Sequence, residues 1–211
     1  IKNTTNSIAR LNYIFNMGSD HDKKLALAVG LLDYFGTDKQ SAEQIKKEFY
    51  KIGISYSVNV GSELSYITLS GLENNLPKGI ELLENFIKNV KPDQEVYNTQ
   101  VESMLNNRAN AKKRKESIMN ALTNYAKFGK DSRFRDIFSE KDLKEMNVTE
   151  LTNLIKGVNS YQHEIFFYGN DLNPIVAALE KHHNMAANKA IPTPKKYAEP
   201  VTTNKVYFAN Y

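Results

Sequence analysis

Two β-prone runs, residues 54–60 and 64–69, flank Gly61-Ser62. So short a connection folds as a hairpin, because parallel neighbours need a crossover of a dozen or more residues. The pair is therefore antiparallel. Helical patterns then dominate the chain beyond it. A hairpin followed by clustered helices points to an α+β fold, a mainly antiparallel sheet covered by several helices, and away from a doubly wound sheet.

The rest of the chain fits that frame. Residues 8–16 alternate, with Leu11, Tyr13 and Phe15 on one parity, and read as a strand with one strongly apolar face. Residues 23–35 are apolar nearly all round and read as one buried helix. Ser41 and Gln44 have capping-box spacing ahead of a short amphipathic helix carrying Ala42, Ile45, Phe49 and Ile52, closed by Gly53. Asn75-Pro77 opens a helix with Ile80, Leu83, Ile87 and Val90 inside, and Pro92-Asp93 opens another carrying Val96, Val101, Met104 and Leu105. Residues 106–116 extend that helix, and a further one holds Ile118, Leu122 and Tyr125. Ser139 and Thr149 read as caps of two short helices. Residues 165–168 read as a buried strand, followed by a helix from Asn173-Pro174 to about His182. Residues 184–204, with three prolines and no apolar period, read as a linker, and 205–211 as the first strand of a further, truncated domain. The total is about five strands and seven or eight helices.

Composition narrows the chemistry. The 211 residues include no Cys, which excludes a disulfide scaffold, thiolate metal sites and Cys nucleophiles. Lys and Arg number 28 against 24 Asp and Glu, a net charge of +4 that permits an acidic partner without demanding one. No apolar run approaches the ~18 residues of a membrane span, and no signal-peptide core opens the sequence. Neither feature assigns a compartment; the bacterial periplasm and the cytoplasm are both compatible.

No catalytic signature stands out by spacing alone. The four histidines, His21, His163, His182 and His183, form no recognised metal motif. Adjacent helical residues point about 100° apart, so His182 and His183 do not chelate one ion and read as surface residues. His21 sits in a turn and reads as solvated. G-x-S-x-G, S-x-x-K and phosphate-binding glycine loops are absent. The basic cluster Arg108, Lys112, Lys113, Arg114 and Lys115 reads as a solvated helix face; nucleic-acid binding, the alternative, would bring aromatic residues and a stronger charge.

The order of the pieces resembles one half of an insulinase/pitrilysin-type zinc metallopeptidase. The resemblance rests on Leu11-Asn12-Tyr13-Ile14-Phe15-Asn16-Met17-Gly18-Ser19, on Tyr34-Phe35-Gly36-Thr37, on Ser41-Ala42-Glu43-Gln44-Ile45 and Lys51-Ile52-Gly53-Ile54, and on residues 165–169 followed by Asn173-Pro174. It covers most of residues 8–183. Catalytic halves of that family carry H-x-x-E-H just before the aromatic-x-Gly-Thr. Counting back from Thr37 puts its histidines at Leu27 and Leu31 and its glutamate at Gly30. Leucine and glycine side chains offer zinc no donor, and no general base remains for a metal-bound water. Glu102 lies at about the distance of the third ligand, but alone it is a surface carboxylate.

The resemblance thus implies a non-catalytic half: residues 1–183 as an inactive peptidase-like domain, with no catalytic residue, no metal ligand and no cofactor of its own. It implies zinc in a separate catalytic half, on the same parent chain or a partner subunit, and a chamber wall that helps enclose peptide substrates. The family's substrate-holding Arg and Tyr would fall beyond Tyr211. A scaffold or assembly subunit with the same fold and no link to proteolysis is the alternative.

Overall fold

Alternation along the first strand decides which way the sheet faces. In β1 (Ile8–Phe15), Ala9, Leu11, Tyr13 and Phe15 are fully buried, while the residues between them are exposed or half-buried. β1 is central. It pairs antiparallel with β3 (Ser65–Leu72) on one side and with β4 (His163–Tyr168) on the other. β2 (Ile54–Val60) completes the sheet beyond β3, giving the order β2-β3-β1-β4, with every pair antiparallel. The registers Leu11↔Leu69 and Tyr13↔Ile67, continued by Leu11↔Phe167 and Tyr13↔Ile165, stack the apolar side chains on one face. The expected α+β fold is the observed one.

The computed structural model describes residues 1–3, 5–183, 189–199 and 204–209. The chain forms two compact units, residues 1–93 with 148–194, and residues 94–147 with 195–211. The first contains the sheet, together with α1 (Lys23–Gly30), α2 (Ala42–Lys51), α3 (Leu76–Asn89), α7 (Val148–Lys156) and α8 (Asn173–His182). The second contains α4 (Gln94–Ala111), α5 (Lys115–Phe128) and α6 (Glu140–Lys144).

Local signals set the element ends. Asp22 caps α1 by accepting from the backbone N–H groups of Lys24 and Leu25. Ser41 and Gln44 form the expected capping box, and Ser139 forms a second one with Asp142. Gly53, at φ +65°, takes the left-handed conformation that lets α2 stop and β2 start at once. Gly18 permits a close approach of a different kind. A Cβ there would lie 2.3 Å from the Gly61 carbonyl oxygen, so only glycine lets the end of β1 run against the hairpin turn. Ser19 and Asp20 then donate to the carbonyls of Gly61 and Ser62.

Several expectations need correction. The apolar helix does not run through to Phe35; it stops at Gly30 and tightens into a 3₁₀ turn over Leu32–Tyr34. Leu31 N–H is shared between the carbonyls of Leu27 and Ala28, the usual sign of a tightening last turn, and glycine is a poor helix former. α4 runs into the polar run as expected but only as far as Ala111, and a new helix starts at Lys115; its buried residues are Tyr97 and Val101. Thr149 lies inside α7 and is not its cap. β4 is the last strand of the described sheet and only half-buried, because Phe166 and Tyr168 lie on the open face, opposite the core side chains, while residues 1–3 hydrogen-bond to its far edge. The described sheet therefore has four strands where five were expected. Residues 204–209 carry no strand, and 210–211 lie outside the described residues. Of the expected linker, 189–199 holds no helix, though Lys189 bridges to Tyr161; residues 184–188 and 200–203 lie outside the described residues.

Candidate functional site

The positions that would carry a zinc motif lie on α1 and its exit. Leu31 is 1% exposed, Leu27 is half-buried and Gly30 is exposed. Burial of a leucine side chain contributes about 1.5–3 kcal/mol, so Leu31 acts as core. Around Gly30 there is space: a Cβ would meet only Val60 Cγ2, at 3.9 Å. Aliphatic carbon and bare backbone therefore occupy all three places. Glu102 sits exposed on α4, in the other unit. Among the described residues, no group of three His, Asp or Glu side chains is arranged to hold a metal ion.

Just past α1 lies a buried acid–phenol pair that the sequence did not single out. Asp33 Oδ1 and the Tyr56 hydroxyl are both buried without a hydrogen bond of ordinary geometry. Burial raises the Asp33 pKa against the opposing pull of Lys46. Burial and the nearby Asp33 charge push Tyr56 up as well. Tyr56 stacks obliquely on Phe49 and edge-on to Phe86, so the pair is fixed by aromatic packing.

A buried polar cluster is built around two histidines. His183 does not lie on the surface, as its place beside His182 implied; its side chain is wholly buried, whereas His182 is half-buried. The cause is the backbone at the end of α8. His183 leaves the helix at φ −97°, ψ 131°, and this extended turn swings its ring inward. Its Nδ1 lies 2.7 Å from Glu84 Oε1 on α3, and its Nε2 lies 2.8 Å from His163 Nε2 on β4. His163 Nδ1 is 2.7 Å from the Tyr161 carbonyl oxygen. Asn159 Nδ2 donates to Glu84 Oε2 at 2.9 Å. Tyr13 places its ring edge-on to His183, with centroids 5.3 Å apart, and Phe15 lies 5.1 Å from His163. Glu84 interrupts the inner stripe Ile80, Leu83, Ile87 of α3, the one sequence signal that marked it as a buried carboxylate.

The remaining candidates are simpler. His21 is half-buried, and its Nδ1 accepts from Gly18 N–H at 3.2 Å, so it fastens the turn after β1. Arg108 donates to the Phe138 carbonyl at 2.7 Å and is a structural residue of the second unit. Lys112, Lys113, Arg114 and Lys115 are exposed at the α4–α5 junction.

No family model matches the sequence, and none of the curated proteins does. The fold does have relatives of known structure. An inactive domain of peptidase M16 from Pseudomonas fluorescens matches at a TM-score of 0.77 and 15% identity, over 95% of this chain and 51% of that one. The ferredoxin protease FusC, crystallised as a mutant with Arabidopsis ferredoxin, matches at 0.74 and 13% identity over 92% of this chain and 22% of its own. The periplasmic protease PqqL from Escherichia coli matches at 0.69 and 13%, over 96% of this chain and 23% of its own. The chain thus spans between about a fifth and a half of these structures. At such identities the likeness is one of fold.

Proposed function

We propose that this chain is a non-catalytic domain of a zinc metallopeptidase assembly, resembling the inactive half of the insulinase/pitrilysin family. Its work is to form part of a wall around peptide substrates while a separate zinc-bearing half cleaves them. The observation that carries this reading is α1. In a fold shared with peptidases, the three positions that match the zinc motif are Leu27, Gly30 and Leu31, and none can ligate a metal or accept a proton from water. The sheet supports the wall role. Its face away from the buried side chains keeps Ile14 and Tyr66 half-exposed and Phe166 and Tyr168 more than a third exposed, beside polar Asn12 and Thr68. Such mixed aromatic and polar surface suits contact with extended peptide of varied sequence.

The test is metal analysis and peptide hydrolysis by the chain alone, then with a zinc-bearing half added. The expected result is no stoichiometric zinc and no cleavage by the chain itself, with cleavage faster when both halves are present. A bound zinc ion, or hydrolysis by the purified chain, overturns the proposal. Cleavage by the zinc-bearing half that this chain does not alter moves the assignment to a scaffold subunit.

A further inference from the structure

The buried histidine cluster has a proton count that its geometry fixes, independently of the peptidase reading. A carbonyl oxygen only accepts, so His163 carries a proton on Nδ1 toward Tyr161. The two Nε2 atoms, 2.8 Å apart, need one proton between them: two bare lone pairs repel, and two N–H groups collide. The same reasoning requires one proton between His183 Nδ1 and Glu84 Oε1, at 2.7 Å. The second carboxylate oxygen accepts from Asn159 and so needs no proton of its own. Three protons are therefore distributed over two imidazoles and a carboxylate. Two neutral rings account for two of them. The third is shared along the chain, and with it the cluster is electrically neutral.

We propose that Glu84, His183 and His163 form a single-proton site that fastens the end of α8 to the sheet only while it holds that one shared proton. A further proton has no acceptor and would force two N–H groups together. Loss of the shared proton leaves two acceptors facing each other and a bare negative charge in the interior. Both changes release His183 from α3 and β4. The surroundings add little charge of their own. From β1 the Tyr13 hydroxyl is buried near Glu84 and is held protonated, first by burial and then by that carboxylate. On α3, Glu81 faces Lys181 and His182 of α8. On β4, Glu164 is exposed and accepts from Asn16. Beyond the relay, Lys189 lies over the Tyr161 ring, and Asp22 acts on the Tyr161 hydroxyl. From the 3₁₀ turn Val158–Ser160 before β4, the neutral Asn159 reaches the cluster.

The sign on the acid side follows from His163. Burial lowers its pKa below 6.5; the Tyr161 carbonyl opposes that shift, the His183 ring adds to it, and Glu84 opposes it. A folded value below the unfolded one contributes stability that is present above pH 6.5 and lost as pH falls through the folded value. Between the two values the unfolding constant rises about tenfold per pH unit for one such group.

The experiment is urea unfolding of the full chain between about pH 5 and pH 9, with nitrogen NMR of the imidazoles, spanning the range where histidines titrate. Wild type is expected to lose stability toward both ends and to show His163 protonated on Nδ1 with its Nε2 accepting. In Glu84→Gln the carboxamide N–H donates to His183 and its carbonyl accepts from Asn159, so every bond is filled with no shared proton. That variant is expected to lose the alkaline fall and keep the acid one. His182→Gln, at the neighbour outside the cluster, leaves both arms unchanged. Parallel profiles in wild type and Glu84→Gln overturn the proposal. So do two histidines that titrate independently near 6.5 in wild type, a readout that needs no variant. A zinc ion found seated between the two Nε2 atoms overturns it as well.

Discussion

The two units hide their apolar residues very differently. In the sheet unit, Leu11, Tyr13, Phe15, Leu69, Ile80 and Leu83 are completely buried, on strands and helices that alternate or repeat cleanly. In the helical unit α5 buries nothing, and Met119 is 56% exposed. Single contacts recur there instead. The Tyr97 hydroxyl donates to the Leu143 carbonyl at 2.7 Å, Arg108 holds the Phe138 carbonyl, and Asp136 receives both Lys195 and the Tyr197 hydroxyl. One unit is specified by a pattern spread over many residues, the other by a few placed groups. Patterned cores absorb their stability from area removed from water. Placed contacts depend on a buried polar atom keeping its partner.

The largest expected contrast comes from truncating an apolar side chain in each unit. Leu11→Ala should destabilise the sheet unit by about 2–5 kcal/mol, from lost transfer and the cavity left behind. Met119→Ala should change stability by less than about 0.5 kcal/mol. Urea unfolding of both variants checks the pair, and equal losses would break the comparison. Next in size is Tyr97→Phe, which keeps the ring and removes the hydroxyl's hydrogen bond to the Leu143 carbonyl, leaving that carbonyl only its backbone donor at the end of α6, at a cost of about 0.5–1.5 kcal/mol. Hydrogen exchange should show that loss concentrated in α6, with β1 protected as before. The smallest contrast sharpens the comparison by using one device in both places. Ser41→Ala and Ser139→Ala each remove a capping box, worth about 1 kcal/mol. Faster amide exchange should stay within the first turn of α2 in one variant and of α6 in the other.

What could be read from the sequence divides along the same line. The alternation of β1, the hairpin at Gly61-Ser62 and the Ser41–Gln44 box are interactions between near neighbours, and each stands where its pattern placed it. The end of α1 at Gly30 and the break after Ala111 escaped, because apolar or polar runs continue past both. The histidine cluster escaped for a different reason. His183 meets partners 20 and 99 positions away, and the helix pattern that placed it on the surface with His182 holds only up to the residue before it. Glu84 went unremarked although it stands within the apolar stripe of α3, and that stripe alone does not tell which groups satisfy it.

The vacancy beside Gly30 gives α1 an uneven reversibility. An acidic side chain grafted there would project from an exposed backbone and touch little more than Val60. An imidazole grafted at Leu31 would have to evict an aliphatic group that is 1% exposed and leave ring nitrogens among hydrocarbon. Anyone building an ion-gripping helix on this scaffold would find a glutamate at position 30 easy to install and a histidine at position 31 the step that resists.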